Sequence, residues 1–127
     1  MEGYSAKVTF VSKPVSAKEK IMLKDTTNCV SLDEATQEVD RLMISPDYYA
    51  IVAVHNEKSE DKDYEKYVVV DKGGTKYVTG SNSFITALRE IMDDMAAEAP
   101  EEDYGIEVYR RESANYKGKS FITCALV

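Results

Sequence analysis

Apolar and polar positions alternate along this chain in short blocks, and the blocks predict strands separated by two well-marked helices. Residues 6–12, AKVTFVS, set Val8 and Phe10 against Thr9 and Val11 and predict a strand ended by Pro14. Ser16-Ala17-Lys18-Glu19 has the S-x-x-E spacing of a capping box and predicts a short helix over 17–24. Ile21-Met22-Leu23 suits a strand equally well.

Ser31-Leu32-Asp33-Glu34 repeats the same spacing. The Ser31 oxygen can accept from an open backbone N–H, and Asp33 and Glu34 suit the positive end of a helix dipole. Leu32, Ala35, Val39, Leu42 and Met43 then fall on one helical face, with Ser45-Pro46 as the stop. YYAIVAV, residues 48–54, is an unbroken apolar run of strand length, and its β-branched content predicts a central strand. Residues 56–63 are a polar loop. Tyr64–Val70 and Thr75–Thr79 are two further strands joined by Asp71-Lys72-Gly73-Gly74, whose glycines supply the positive φ of a hairpin turn.

The second helix is predicted over 83–97, after Gly80-Ser81-Asn82-Ser83. Phe84, Leu88, Ile91, Met92 and Met95 form its apolar stripe, and Pro100 with Glu101-Glu102-Asp103 ends it. Strands at 104–111 and 119–127 complete the pattern. The implied fold class is α+β: a mostly antiparallel sheet with two main helices on one face, in a single domain over 1–127. From residue 47 onward the order β-β-β-α-β-β also matches an OB-type barrel in element order, without any supporting motif.

Charge changes this picture most. The formal net charge is −7, yet it is sorted: +2 over residues 1–25, −12 over 26–107 and +3 over 108–127. No apolar run approaches the ~20 residues of a membrane span, so no membrane contact is expected. The N-terminal segment MEGYSAKVTF lacks the pattern of a secretory signal. Cys29 and Cys124 make neither a disulfide framework nor a zinc site, which points to reduced thiols in a cytoplasmic protein.

Catalytic motifs are scarce, and the chain reads as non-enzymatic, with no metal and no cofactor. His55 is the only histidine and ends the apolar strand. Glu60-Asp61-Lys62-Asp63 lacks the glycine and terminal glutamate of an EF-hand loop, so a solvated loop is the better reading. Gly118-Lys119-Ser120 lacks the earlier glycine of a P-loop and opens a strand rather than a helix. Distant Ser, His and Asp residues can still meet in space, which leaves an enzyme as the third reading.

One cluster combines two useful chemistries. Tyr109, Arg110 and Arg111, followed by Tyr116, Lys117, Lys119 and Phe121, place four cations and three aromatics across a predicted C-terminal hairpin. Cations neutralise phosphates, and aromatic rings and guanidinium planes stack on unpaired bases. Strand alternation puts Tyr109 and Arg111 opposite Ile106, Val108 and Arg110, and Phe121 and Thr123 opposite Ile122, Cys124 and Leu126. Helices covering the second set would leave Tyr109, Arg111 and Phe121 displayed. The expected partner is single-stranded nucleic acid. The alternative is an adapter or inhibitor whose acidic middle meets a basic protein surface or imitates a phosphate backbone.

Overall fold

The computed structural model describes residues 3–58, 60–112 and 120–127. In chain order the elements are β1 (Tyr4–Val11), α1 (Ala17–Met22), β2 (Val30–Ser31), α2 (Leu32–Glu38), β3 (Leu42–Ile44), β4 (Pro46–Asn56), β5 (Asp63–Asp71), β6 (Lys76–Thr79), α3 (Asn82–Glu98), β7 (Ile106–Glu112) and β8 (Ser120–Leu126). The fold is α+β, as expected, but its strands fall into two sheets ordered β1-β4-β5-β6-β2 and β3-β7-β8. The β-β-β-α-β-β order is met. However, among the described residues β7 and β8 pair in a sheet with β3, while β4, β5 and β6 belong to the other sheet, and a barrel of these five strands is not shown.

The chain forms two compact units, Met1–Val30 with Asp47–Gly80 and Ser31–Pro46 with Ser81–Val127. It passes between them at Val30–Ser31, Pro46–Asp47 and Gly80–Ser81. The first crossing lies in β2 and the second inside β4.

The first unit is built on the apolar run. β4 lies between β1 and β5, the central place its composition predicts. One face of this sheet buries Val8, Leu23, Tyr48, Ala50, Val52, Val54, Val68 and Val70 as a continuous cluster. The β1–β4 register shifts between Val8 and Phe10, a bulge that admits the Thr9 hydroxyl to the Ile51 carbonyl at 3.3 Å. The β5–β6 hairpin turns as its sequence requires. Gly74 has φ +93°, and the Asp71 carboxylate accepts from the Gly73 N–H at 2.7 Å. Ser16 caps α1 by accepting from the Glu19 N–H at 3.1 Å, which decides helix over strand for Ile21 and Met22. Leu23, the residue that caps α1 at its C-terminus, is the one of that trio that enters the core; Ile21 and Met22 stay exposed.

At the far end of β4, His55 meets two carboxylates. Its Nδ1 lies 2.7 Å from Asp63 and its Nε2 2.6 Å from Glu57. Lys62 also sits 3.4 Å from Glu57. Hydrogen bonds to Asp63 and then Glu57 hold the imidazole above its ordinary pKa. A folded value above the unfolded one means the contact stabilises the protein below the unfolded pKa. That contribution disappears as pH rises through the raised value. Because the group is exposed, salt screens it. An NMR titration of the His55 ring should give a midpoint above that of an unstructured histidine, and Asp63→Asn should move it back down. An unshifted midpoint in the wild-type chain would show that neither carboxylate holds the ring.

The second unit holds α2, β3, α3, β7 and β8. Ser31 caps α2 by accepting from Glu34 N–H at 3.4 Å, as the sequence predicts. The helix then stops at Glu38, and the predicted continuation through Val39, Leu42 and Met43 is not formed. Val39 is already extended, with φ −127° and ψ 146°. Leu42, Met43 and Ile44 instead alternate along β3, opposite Val108, Glu107 and Ile106 of β7. The reason is geometric. Period two buries Ile44 and half-buries Leu42 against the β7 core residues, while Met43 faces solvent. Asp40-Arg41 provides the polar break between the two elements.

Helix α3 begins where expected, its Ser81 cap accepting from the Phe84 N–H at 3.2 Å. It packs on β8 and buries Phe84, Ile85 and Leu88. Ile91, Met92 and Met95 are only half-buried, so the predicted stripe is a deep contact in its first turns and a shallow one beyond them. Both cysteines are free thiols. Burial pushes the Cys124 thiol up to about 12, which keeps it protonated and poorly nucleophilic. No helix among the described residues is long and apolar enough to cross a membrane.

Candidate functional site

The site rests on the β3-β7-β8 sheet, which has two unlike faces. β7 and β8 pair in register Tyr109↔Thr123, Arg110↔Ile122 and Arg111↔Phe121. Ile106, Val108, Ile122 and Cys124 are buried on the face that α3 and α2 pack against. The helix is tied down there by Ser83, whose hydroxyl donates to the Ile122 carbonyl at 2.8 Å. The opposite face carries Met43, Glu107, Tyr109, Arg111, Phe121 and Thr123, as strand alternation dictates. Tyr109 and Phe121 are half-buried, Arg111 is exposed, and Met43 is 55% exposed.

Arg41 joins this second face from just before β3. Its guanidinium lies 4.8 Å from the centroid of the Tyr109 ring and pairs with Glu107. The contact is a cation–π stack with a carboxylate fixing the cation from the side. Sequence reading misses Arg41 and Met43 because it assigns residues 42 and 43 to a helix. The signal was nonetheless present: Leu42-Met43-Ile44 has strand length and lies between Asp40-Arg41 and Ser45-Pro46.

Arg110 does not belong to this face. Its Nε donates to the Thr36 hydroxyl at 3.0 Å, Nη2 to the Asp33 carbonyl at 2.9 Å and Nη1 to the Ser120 hydroxyl at 3.2 Å. Thr36 in turn donates to the Leu32 carbonyl at 2.8 Å. Arg110 is thus a clamp between β7 and α2, with all three guanidinium nitrogens engaged inside the protein. Tyr116, Lys117 and Lys119 lie outside the described residues. They fall within the seven-residue segment, residues 113–119, that joins β7 to β8.

Charge is also sorted between the two units. The first unit has ten lysines, no arginine and ten acidic residues, a net of zero; the second therefore carries all of the −7. Within the second unit, exposed carboxylates occupy the helices: Asp33, Glu34 and Glu38 on α2, and Glu90, Asp93, Asp94 and Glu98 on α3. Both helices pack on the sheet face opposite Arg111 and Tyr109. Among the described residues, no group of three or more His, Cys, Asp or Glu side chains is arranged to hold a metal ion. No protein-family model, no curated protein and no solved structure matches the chain.

Proposed function

We propose that this chain is a small non-enzymatic protein that binds single-stranded nucleic acid on the β3-β7-β8 face. The observation that carries this reading is the co-facial placement of Tyr109, Arg111 and Phe121, away from α3 and α2, with Arg41 laid on the Tyr109 ring. Rings and guanidinium planes of this kind offer stacking surface to unpaired bases, and a nearby cation offers charge to the backbone. Lys117 and Lys119, outside the described residues, carry two further positive charges in the sequence between the same two strands. Glu107 and the net charge of −7 oppose non-specific binding, so the affinity at physiological salt is weak and its salt dependence steep.

The test is a fluorescence titration with a labelled single-stranded oligonucleotide at low salt. Replacing Arg111 and Lys119 together with alanine should weaken binding to every sequence and flatten the salt slope. Tyr109→Ala or Phe121→Ala should each cost about 1–3 kcal/mol where the ring stacks on a base. No binding at high micromolar protein would reject the reading. The acidic α3 surface would then take its place as an adapter face for basic proteins, a second reading favoured by Glu90, Asp93, Asp94 and Glu98 all being exposed. Pull-down against basic partners would pursue it.

A further inference from the structure

The first unit has a cleft of about 740 Å³ that the nucleic-acid face does not use. One wall is the segment from Lys13 into α1, the floor is the start of β4 with the end of β5, and the other wall is the β5–β6 hairpin. Its volume lies in the range of small-ligand sites. Four lysines line it, Lys13, Lys18, Lys72 and Lys76, against three carboxylates.

Those carboxylates are already engaged. Asp47 takes the Lys13 ammonium at 2.7 Å, and Asp71 takes the Gly73 N–H at 2.7 Å. Glu19 is hydrogen-bonded to Tyr48 on the floor. Burial first, then the Glu19 and Asp47 charges, hold the Tyr48 phenol above its ordinary pKa, so it stays a neutral hydroxyl. Lys13 also lies 5.3 Å from the Tyr48 ring centroid, which ties that lysine to the floor. By contrast, Lys18 on α1 and Lys76 on β6 have no ion-pair partner among the described residues. The Lys76 charge also acts at longer range on Asp25 and Cys29. The cleft therefore presents positive charge from two different elements that no direct ion pair closes, in a unit whose total charge is zero.

We propose that this cleft binds a small ligand carrying two or more linked phosphate groups, with Lys18 and Lys76 supplying the charge that holds them. Two cations on separate elements match a compact ligand of at least two negative charges better than a monocarboxylate. Lysine recognises phosphate as a point charge and needs no planar fork, which suits a unit that contains no arginine. The inference stands independently of the nucleic-acid reading.

The test is calorimetry of the full chain with inorganic pyrophosphate and tripolyphosphate at low salt, with sulfate at matched ionic strength as the control anion. Saturable binding of the polyphosphates in the micromolar-to-millimolar range, well ahead of sulfate, is expected. Lys18→Gln and Lys76→Gln should each weaken it about tenfold, the scale of one charge-assisted hydrogen bond. Lys58→Gln, at an exposed lysine outside the cleft, should leave it unchanged. Thermal unfolding of each variant checks that the fold is kept. Absence of binding at millimolar pyrophosphate, or binding indifferent to both cleft substitutions, would overturn the proposal. So would the case in which the same substitutions weaken oligonucleotide binding while pyrophosphate does not bind, because the cleft would then serve phosphodiesters. Loss of oligonucleotide binding through Arg111 and Lys119 alone bears only on the sheet face, so failure of one reading is distinguishable from failure of the other.

Discussion

Leu88→Ala is expected to destabilise the protein by about 2–5 kcal/mol, the range for a large aliphatic side chain truncated in a closed core. Leu88 is 0% exposed and sits on α3, which packs directly on β8. Its neighbours on the same stripe, Phe84 and Ile85, are buried as well, so little can move to fill the void. Part of the cost is lost transfer of the side chain from water, and the rest is the residual cavity. Urea unfolding followed by circular dichroism measures it directly. Met95→Ala, two turns further along the same helix, should cost markedly less because Met95 is only half-buried. A loss below ~0.5 kcal/mol for Leu88, the size of an ordinary surface change, would place the α3 stripe on the wrong side.

Arg110 and Arg111 are adjacent in sequence and should separate cleanly in experiment. Arg110→Ala removes donors from the Thr36 hydroxyl, the Asp33 carbonyl and the Ser120 hydroxyl. Losing the charged donor from a partly buried network should cost about 1.5–3 kcal/mol of stability. Arg110→Lys should rescue little of it, since one ammonium cannot span three acceptors in a fork. Arg111→Ala should leave stability within ~0.5 kcal/mol and act on nucleic-acid binding instead. The pair of unfolding curves, read beside the pair of binding titrations, separates the two roles. A stable Arg110→Ala variant would show that the clamp does not hold β7 to α2, and an unstable Arg111→Ala variant would give that arginine a structural role.

Much of the fold was legible from local chemistry. Ser16 and Ser31 each accept the backbone N–H that their S-x-x-E spacing predicts, and in the structure Ser81 does the same at the start of α3. The apolar run at 48–54 becomes an interior strand because side chains of both parities are buried, and apolar residues meet that burial without leaving polar groups unpaired. Asp71-Lys72-Gly73-Gly74 turns because a positive φ is needed and glycine provides it. The alternation of Tyr109, Arg111, Phe121 and Thr123 was equally readable, since side-chain direction in a strand follows from parity alone.

Residues 39–44 were not legible, and the reason is general. Leu42 and Met43 satisfy a helical period from Leu32 and Ala35 as well as they satisfy a strand. What selects the strand is an edge supplied by β7, which lies more than sixty residues away in the chain. The same long-range pairing determines that β7 and β8 join β3 and not the sheet of β4, β5 and β6. It also brings Arg41 onto Tyr109, and it spends Arg110 on α2.

The sequence by itself thus determined the helix starts, the hairpin turn, the central strand and which residues of β7 and β8 share a face. These depend on contacts within a few residues, where spacing and backbone preference decide. Only the tertiary structure decided how the strands divide into two sheets, which arginine faces solvent and where the lysines gather. Those outcomes rest on hydrogen bonds and charges between segments far apart in the chain, and no local pattern encodes which distant edge a strand will meet.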